Sequence, residues 1–301
     1  MSWLRAVVLW HLLRPLWGGT APPPLHSSVR LALPIIYVFH ISPLVCERQG
    51  MPSYILYTLA QAVMTQPLST VIMASNYVDC PAAFQEVSRM PGVLLIDTVN
   101  ISSPRTIEFV NTSHNIFQTD GYGELWITSA TRFLHIEDTM RHLHYSEAFH
   151  VEADNLLYGS LAQLVPSFRL HYPGLAATPL TANKHMMTAS LLWIPSFASL
   201  ATFNDFLLSL GRHNESAYNK YVDWLRPKAC CRWGGPGHRR DANGTLMEGH
   251  TGVKPFMINE MTIMAYYQVS DMEVVECVAL PLLTPSKKLL PPPTLPMMPH
   301  I

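Results

Sequence analysis

The sequence predicts an α/β domain whose mixed, mainly parallel sheet, of Rossmann type, is flanked by helices. Two observations predict it. Strand-length apolar runs alternate with helical patterns: Leu33–His40 (LPIIYVFH), Pro52–Gln66, Thr70–Ala74 (TVIMA), Ala82–Met90, then Val93–Thr98 (VLLIDT). Parallel neighbours need such a covering helix between them, and the crossovers are right-handed. The second observation is a further apolar run, Ala148–Val151, that ends on two carboxylates, Glu152 and Asp154. Open α/β sheets place their ligands beyond the carboxyl ends of strands.

The first strand is followed by a polar loop, Ser42–Gly50, and by a helix over Pro52–Gln66. Ile55, Leu59, Ala62 and Val63 lie on one face of that helix, with Pro52 near its start and Pro67 closing it. After the third strand, Asn100–Gly123 reads as a polar region. A helix over Glu124–His142 carries Trp126, Ala130, Phe133 and Met140 on one stripe, with Arg132, Glu137 and Asp138 mostly off it. Tyr158–Leu164 reads as a short helix or turn, and Thr188–Ile194 as a strand stopped by Pro195. Ser196 is placed to cap a helix through Leu210, with Gly211 as terminator. Tyr218–Leu225 reads as a short helix, Arg226–Gly252 as a Gly-, Arg- and His-rich loop, Glu260–Gln268 as a helix capped by Asn259, and Val274–Leu280 as a strand.

A chain of 301 residues is long enough to bury a full core, and one large domain is expected. The formal charge of -1, with 14% charged residues, provides no global basic field for nucleic acid. No run reaches the roughly 20 apolar residues that cross a bilayer, which excludes a multi-pass membrane protein. Residues 1–21, with Arg5 and Arg14 bracketing the mostly apolar Ala6–Leu13, are expected to form a signal peptide or short signal anchor. Residues 22–32 read as a linker, 33–280 as the domain, and the Pro-rich 281–301 as a tail that does not pack. Sequons at Asn100, Asn111, Asn214 and Asn243 favour the secretory pathway, in the Golgi or ER lumen or as a secreted chain. The 5 cysteines, Cys46, Cys80, Cys230, Cys231 and Cys277, allow at most two bridges, and the adjacent Cys230 and Cys231 are expected to bond elsewhere.

Glu152 and Asp154 are hard oxygen ligands of the kind Mg²⁺ or Mn²⁺ accepts, completed by phosphate oxygens and water. The competing reading is a solvated acidic turn. His135, His142, His144 and His150 raise zinc, but no H-E-x-x-H pattern accompanies them. A Walker A loop, a Gly-x-Gly-x-x-Gly fingerprint and a Gly-x-Ser-x-Gly elbow are all missing, so kinase, dehydrogenase and esterase readings lack their motif. The basic stretch Lys228–Arg240 is a candidate lid over a diphosphate.

With these residues the chain resembles the GT-A type glycosyltransferases, whose D-x-D motif ends a strand in mid-domain. The resemblance covers Leu33–Leu280 and rests on Ile35–His40, Tyr54–Met64, Thr70–Asn76, Thr131-Arg132-Phe133 and the motif segment His150–Tyr158. Leu192–Phe206 and Asn259–Thr262 resemble the acceptor-side segments of such enzymes. Glu152 stands where the motif more often has Asp, and the Pro-rich end arrives where such domains usually continue. The resemblance implies a nucleotide-sugar donor, UDP-linked by expectation, and a glycan or glycoprotein acceptor. It implies that Asp154 holds Mn²⁺ or Mg²⁺ and that Glu152 contacts the metal, its water or the ribose. It further implies that Glu260 serves as general base if configuration inverts, and that Asp97 either contacts the nucleotide or caps a helix. Arg132 is expected to ion-pair on the helix surface or near the site. The alternative function is a non-catalytic lumenal protein that keeps the fold as a binding module.

Overall fold

The computed structural model describes residues 33–42, 46, 50–117, 123–179, 186–212, 215–232 and 260–270. The leader, the linker, the end of the basic stretch beyond Arg232, the strand expected at Val274–Leu280 and the Pro-rich tail lie outside the described residues. Among the described residues no helix is long and apolar enough to cross a membrane.

The strands are β1 (Ile35–Val38), β2 (Val71–Ser75), β3 (Val93–Asp97), β4 (Ala148–Val151), β5 (Ala176–Pro179) and β6 (Met187–Ile194). They form a 6-stranded sheet in the order β3-β2-β1-β4-β6-β5. β1 pairs parallel with both β2 and β4, and β2 with β3. β6 runs antiparallel to β4 and β5 antiparallel to β6, with a register shift at Ala177/Thr178. The chain therefore builds outward from β1 in one direction through β2 and β3, then returns to the other side of β1 as β4. That reversal is a topological switch point, where two crossovers leave in opposite directions and open a crevice.

The helices are α1 (Ser53–Thr65), α2 (Gln85–Ser88), α3 (Thr98–Ile101), α4 (Pro104–Thr112), α5 (Gly123–His142), α6 (Leu161–His171), α7 (Phe197–Gly211), α8 (Glu215–Arg232) and α9 (Glu260–Ser270). Successive strand residues point to opposite faces, and the core divides accordingly. Ile35, Tyr37, Val71, Met73, Phe149, Val151 and Trp193 pack against α1, α2 and α6. Ile36, Ile72, Ala74, Ala148, Leu192 and Ile194 pack against α4, α5, α7 and α9. On the first face Trp193 lies 5.0 Å from Phe149 and 5.5 Å from Phe168, ring centroid to centroid, and its Nε1 donates to Tyr172 O at 3.0 Å. The indole thus buries its full ring without leaving its one donor unpaired. Gly92, at φ +86, turns the chain into β3, and a Cβ there would sit 2.8 Å from Val63 Cγ1.

Several expectations are corrected. The polar region after β3 contains α3 and α4, and Ser103 caps α4 with Pro104 at its first turn. The helix after the acidic motif runs on to His171 and carries Pro166 inside it. β5 was hidden because four residues ending in proline carry no periodic signal. α8 extends to Arg232, so Arg226–Arg232 is helical rather than loop. Glu137 and Asp138, expected off the buried stripe of α5, are each only 2% exposed. The reason is that α5 has the sheet on one side and α4 and α7 on the other, which leaves its middle no water-facing surface. Their charges are met within the fold. Arg141 donates to both, at 2.5 Å to Glu137 and 2.6 Å to Asp138. Asn204 Nδ2 donates to Glu137 at 2.7 Å, and Thr106 Oγ1 to Asp138 at 2.5 Å. Cys46 and Cys80 form a disulfide, Cα to Cα 5.8 Å, that ties the loop after β1 to the loop after β2.

Candidate functional site

A cleft of about 390 Å³ opens at the carboxyl ends of β1 and β4, at the switch point. It falls in the size range of small-molecule sites, roughly 300–1,000 Å³. Val38, Phe39 and His40 line it from the end of β1, and Tyr54 from the start of α1. Leu125, Thr128, Ser129, Arg132 and His135 line it from α5, and Glu152, Ala153 and Asp154 from the end of β4.

The acidic pair enters the cleft by a route other than the expected extended one. β4 stops at Val151, and Asn155 N donates to Glu152 O at 3.0 Å, closing a turn that carries both carboxylates. Asp154 is exposed and Glu152 half-buried. Both oxygens of Glu152 are engaged. Arg132 Nη1 donates to Oε1 at 2.5 Å, while Ser190 Oγ at 3.1 Å and Thr188 Oγ1 at 3.3 Å donate to Oε2. Burial acts to raise the Glu152 carboxyl, but the charge and hydrogen bond of Arg132, with the hydrogen bond of Ser190, outweigh it and hold it below the usual carboxylate range. Arg132 is thus an ion-pair partner inside the cleft rather than on the helix surface.

Side-chain amides hold the cleft's two walls. Loop backbone beyond a strand end has lost its ladder partner, and a carboxamide carries one acceptor and two donors with which to replace it. Asn76 Oδ1 accepts from Ile41 N at 3.0 Å and Nδ2 donates to Ile41 O at 2.9 Å, fixing the loop after β1. Gln61 accepts from Leu157 N at 3.0 Å and donates to Leu157 O. Gln66 accepts from Leu161 N at 2.8 Å and donates to Gly159 O at 2.6 Å, so the segment after Asp154 is bracketed from α1.

The histidines do not converge as a zinc site. His40 Nε2 lies 3.0 Å from Thr98 Oγ1, and its ring packs 4.4 Å from that of His135. Burial holds His40 down to about 4 against the pull of Asp79 and Asp97. Burial, and then the neighbouring His40, hold His135 well below its ordinary value. His150 is fully buried, its Nδ1 donating to Ile36 O at 2.8 Å, and burial with Arg132 nearby holds it to about 4. His142 and His144 are exposed at the far end of α5. Among the described residues no group of three or more His, Cys, Asp or Glu side chains is arranged to hold a metal.

Asp97 does not line the cleft. It ends β3, and its Oδ2 accepts from Asn100 N at 3.1 Å to cap α3, while the buried Oδ1 has no hydrogen-bond partner among the described residues. Glu260 is the first residue of α9, and its side chain lies outside the described residues. His40, His135 and Tyr54 went unmarked in the sequence as cleft residues. The signals that existed were the strand-end position of His40 and the spacing of His135 one turn beyond Arg132.

A hard divalent ion takes one or two carboxylates and completes its shell with phosphate oxygens and water. Asp154, exposed on the cleft, fits that role as it stands. Glu152 fits it only by exchanging a present partner.

Fold and cleft define a mixed α/β protein with an acid-lined site at the switch point of its sheet. No family model matches the sequence, and no curated protein matches it. Among solved structures the chain is similar to mouse xyloside xylosyltransferase 1 in its apo form, at 9% identity and a TM-score of 0.43, over 62% of this chain and 76% of that one. It is also similar to the PaToxG glycosyltransferase, at 7% identity and a TM-score of 0.41, over 62% of this chain and 64% of that one, just under two thirds of its length. Likenesses of this size are in outline only, and the reading of the site rests on its own geometry.

Proposed function

We propose that the chain is a GT-A type glycosyltransferase that binds a nucleoside-diphosphate sugar in the switch-point cleft and transfers the sugar to a glycan or protein acceptor. The observation that carries this reading is the meeting of Asp154, Glu152 and Arg132 on one cleft of about 390 Å³. Hard oxygens and a guanidinium thus line the same cleft. Asp154 would hold Mn²⁺ or Mg²⁺, which when bound supplies neutralisation of the charge developing on the departing diphosphate. Arg132 adds a planar fork of donors suited to phosphate oxygens. Half-buried His40 and buried His135, both uncharged, line the cleft without adding charge to it. Glu260, at the head of α9, is the proposed base for an inverting transfer. A secretory location is supported by the exposed sequon residues Asn100 and Asn111 and by the Cys46–Cys80 bridge, which suits an oxidising compartment.

One observation favours a second reading, a lumenal binding module. Glu152 has both oxygens occupied, so a ligand could be held without the metal set that turnover needs. Calorimetry of UDP with and without Mn²⁺, on the wild type and on Asp154→Ala, tests the first reading. Binding that requires the metal and disappears in the variant is expected. UDP that binds equally well without metal, or does not bind, overturns the transferase and leaves the module.

A further inference from the structure

Two opposite charges that face the cleft from different elements, Arg132 and Glu152, pair with each other. Arg132 on α5 and Glu152 after β4 meet at 2.5 Å with side chains only 15% and 22% exposed, so water screens the pair weakly. Arg132 is also anchored on its own helix, its Nε donating to Ser129 O at 2.7 Å. Glu152 is held from β6, through Ser190 and Thr188 on its second oxygen. A rearrangement that releases Arg132 therefore leaves the Glu152 carboxylate still tethered within the cleft.

The consequence concerns what each charged species finds on arrival. A divalent cation arriving alone meets one open carboxylate, Asp154, and a second already neutralised by a guanidinium. A diphosphate arriving alone meets a guanidinium already neutralised by a carboxylate, and is repelled by Asp154. When both arrive, Arg132 turns to phosphate oxygens and Glu152 to the cation, so one internal ion pair is replaced by two to the ligands. We propose that Arg132 and Glu152 form a mutually masking pair that makes the divalent ion and the diphosphate bind the cleft together far better than either binds alone. The inference rests on the donor reading above. It confines the contact of Arg132 with the diphosphate and of Glu152 with the metal to the ternary complex. Such coupling is reciprocal, so the ion strengthens the diphosphate by the same factor as the diphosphate strengthens the ion.

The test is a double-mutant cycle read by calorimetry, with Mn²⁺ alone and then with UDP alone, on the wild type, Arg132→Gln, Glu152→Gln and the double variant. Unmasking Glu152 in Arg132→Gln is expected to tighten Mn²⁺ alone about tenfold, equivalent to about 1.4 kcal/mol. The double variant is expected to lose that gain, because the carboxylate responsible is gone. Glu152→Gln alone is expected to leave Mn²⁺ within about twofold of wild type while tightening metal-free UDP about tenfold, and the double variant to lose that gain as well. Simple removal of charge predicts instead that Glu152→Gln weakens Mn²⁺ whether or not Arg132 is present. That result, or an Arg132→Gln that binds Mn²⁺ no tighter, overturns the masking. Circular dichroism melts establish that each variant is folded, and if Arg132→Gln is not, the two Glu152→Gln arms decide alone. Manganese that binds the wild type only with UDP, is lost in Asp154→Asn and is indifferent to Arg132→Gln removes the masking and keeps the donor site. Manganese that binds no variant, with or without UDP, removes the donor site itself.

Discussion

The rings of His40 and His135 pack with centroids 4.4 Å apart, tilted by 52°, where the end of β1 meets α5. Both are held uncharged by burial, as is His150 within β4. An unfolded histidine titrates near 6.5. Because the folded values lie below that, the unfolded chain takes up more protons, and stability falls as pH drops through 6.5 towards the folded values near 4. Above pH 6.5 the effect is absent. Each histidine contributes a slope of about 1.4 kcal/mol per pH unit within the window. Urea midpoints are expected to fall from pH 7 to pH 5, and His135→Gln to flatten the fall. A midpoint that holds level across that range would contradict the assignment of these rings as buried and neutral.

Asn76 replaces a missing ladder partner for Ile41, so Asn76→Ala leaves a buried N–H and C=O unpaired. The expected loss is about 2 kcal/mol. Asn76→Asp, which keeps the acceptor for Ile41 N but sets a carboxylate oxygen against Ile41 O, should lose more at neutral pH than at low pH, where the protonated carboxyl can donate. Chemical denaturation of the two variants side by side, at neutral and at low pH, measures the difference.

Two ion pairs of α5 and its surroundings differ in burial and should differ in worth. Asp138, 2% exposed, is held by Arg141, Thr106 and the backbone N of Ser103. Asp138→Ala removes three partners at once and is expected to cost about 3 kcal/mol. Glu147 pairs with Arg169 nearer the surface, at side-chain exposures of 23% and 39%, and Glu147→Ala should cost less than about 1 kcal/mol. Equal losses in thermal melts would refute the distinction.

The Cys46–Cys80 bridge closes a loop of 34 residues between the ends of β1 and β2. Its removal in Cys80→Ser is expected to lower stability by about 2–4 kcal/mol. Dithiothreitol should lower the wild-type melting temperature more than that of the variant.

Much of the frame was legible because its signals are local. Strands buried on both faces read as unbroken apolar runs, and Ala148–Val151 forms β4 with those same bounds. Ser196 caps α7 as its chemistry suggested, accepting from Ser199 N at 3.0 Å. The region after β3 was less legible, since its Asn, Ser and Thr residues favour turns as readily as helix caps. The Ser103-Pro104 pair was the sign that one helix starts there. Glu137 and Asp138 misled because a charged pair off an apolar stripe normally faces water, and only the packing of α4 and α7 over α5 removes that water.

The candidate site divides along the same line. The sequence by itself determined that two acids, Glu152 and Asp154, follow a buried strand, since spacing and strand ends are written in neighbouring residues. Only the tertiary structure decided that Glu152 is already claimed by Arg132 and that His40 lies against His135. Those facts depend on how α5 is laid across the ends of β1 and β4. No local pattern encodes that placement, because it is set by the fit of whole faces drawn from distant parts of the chain.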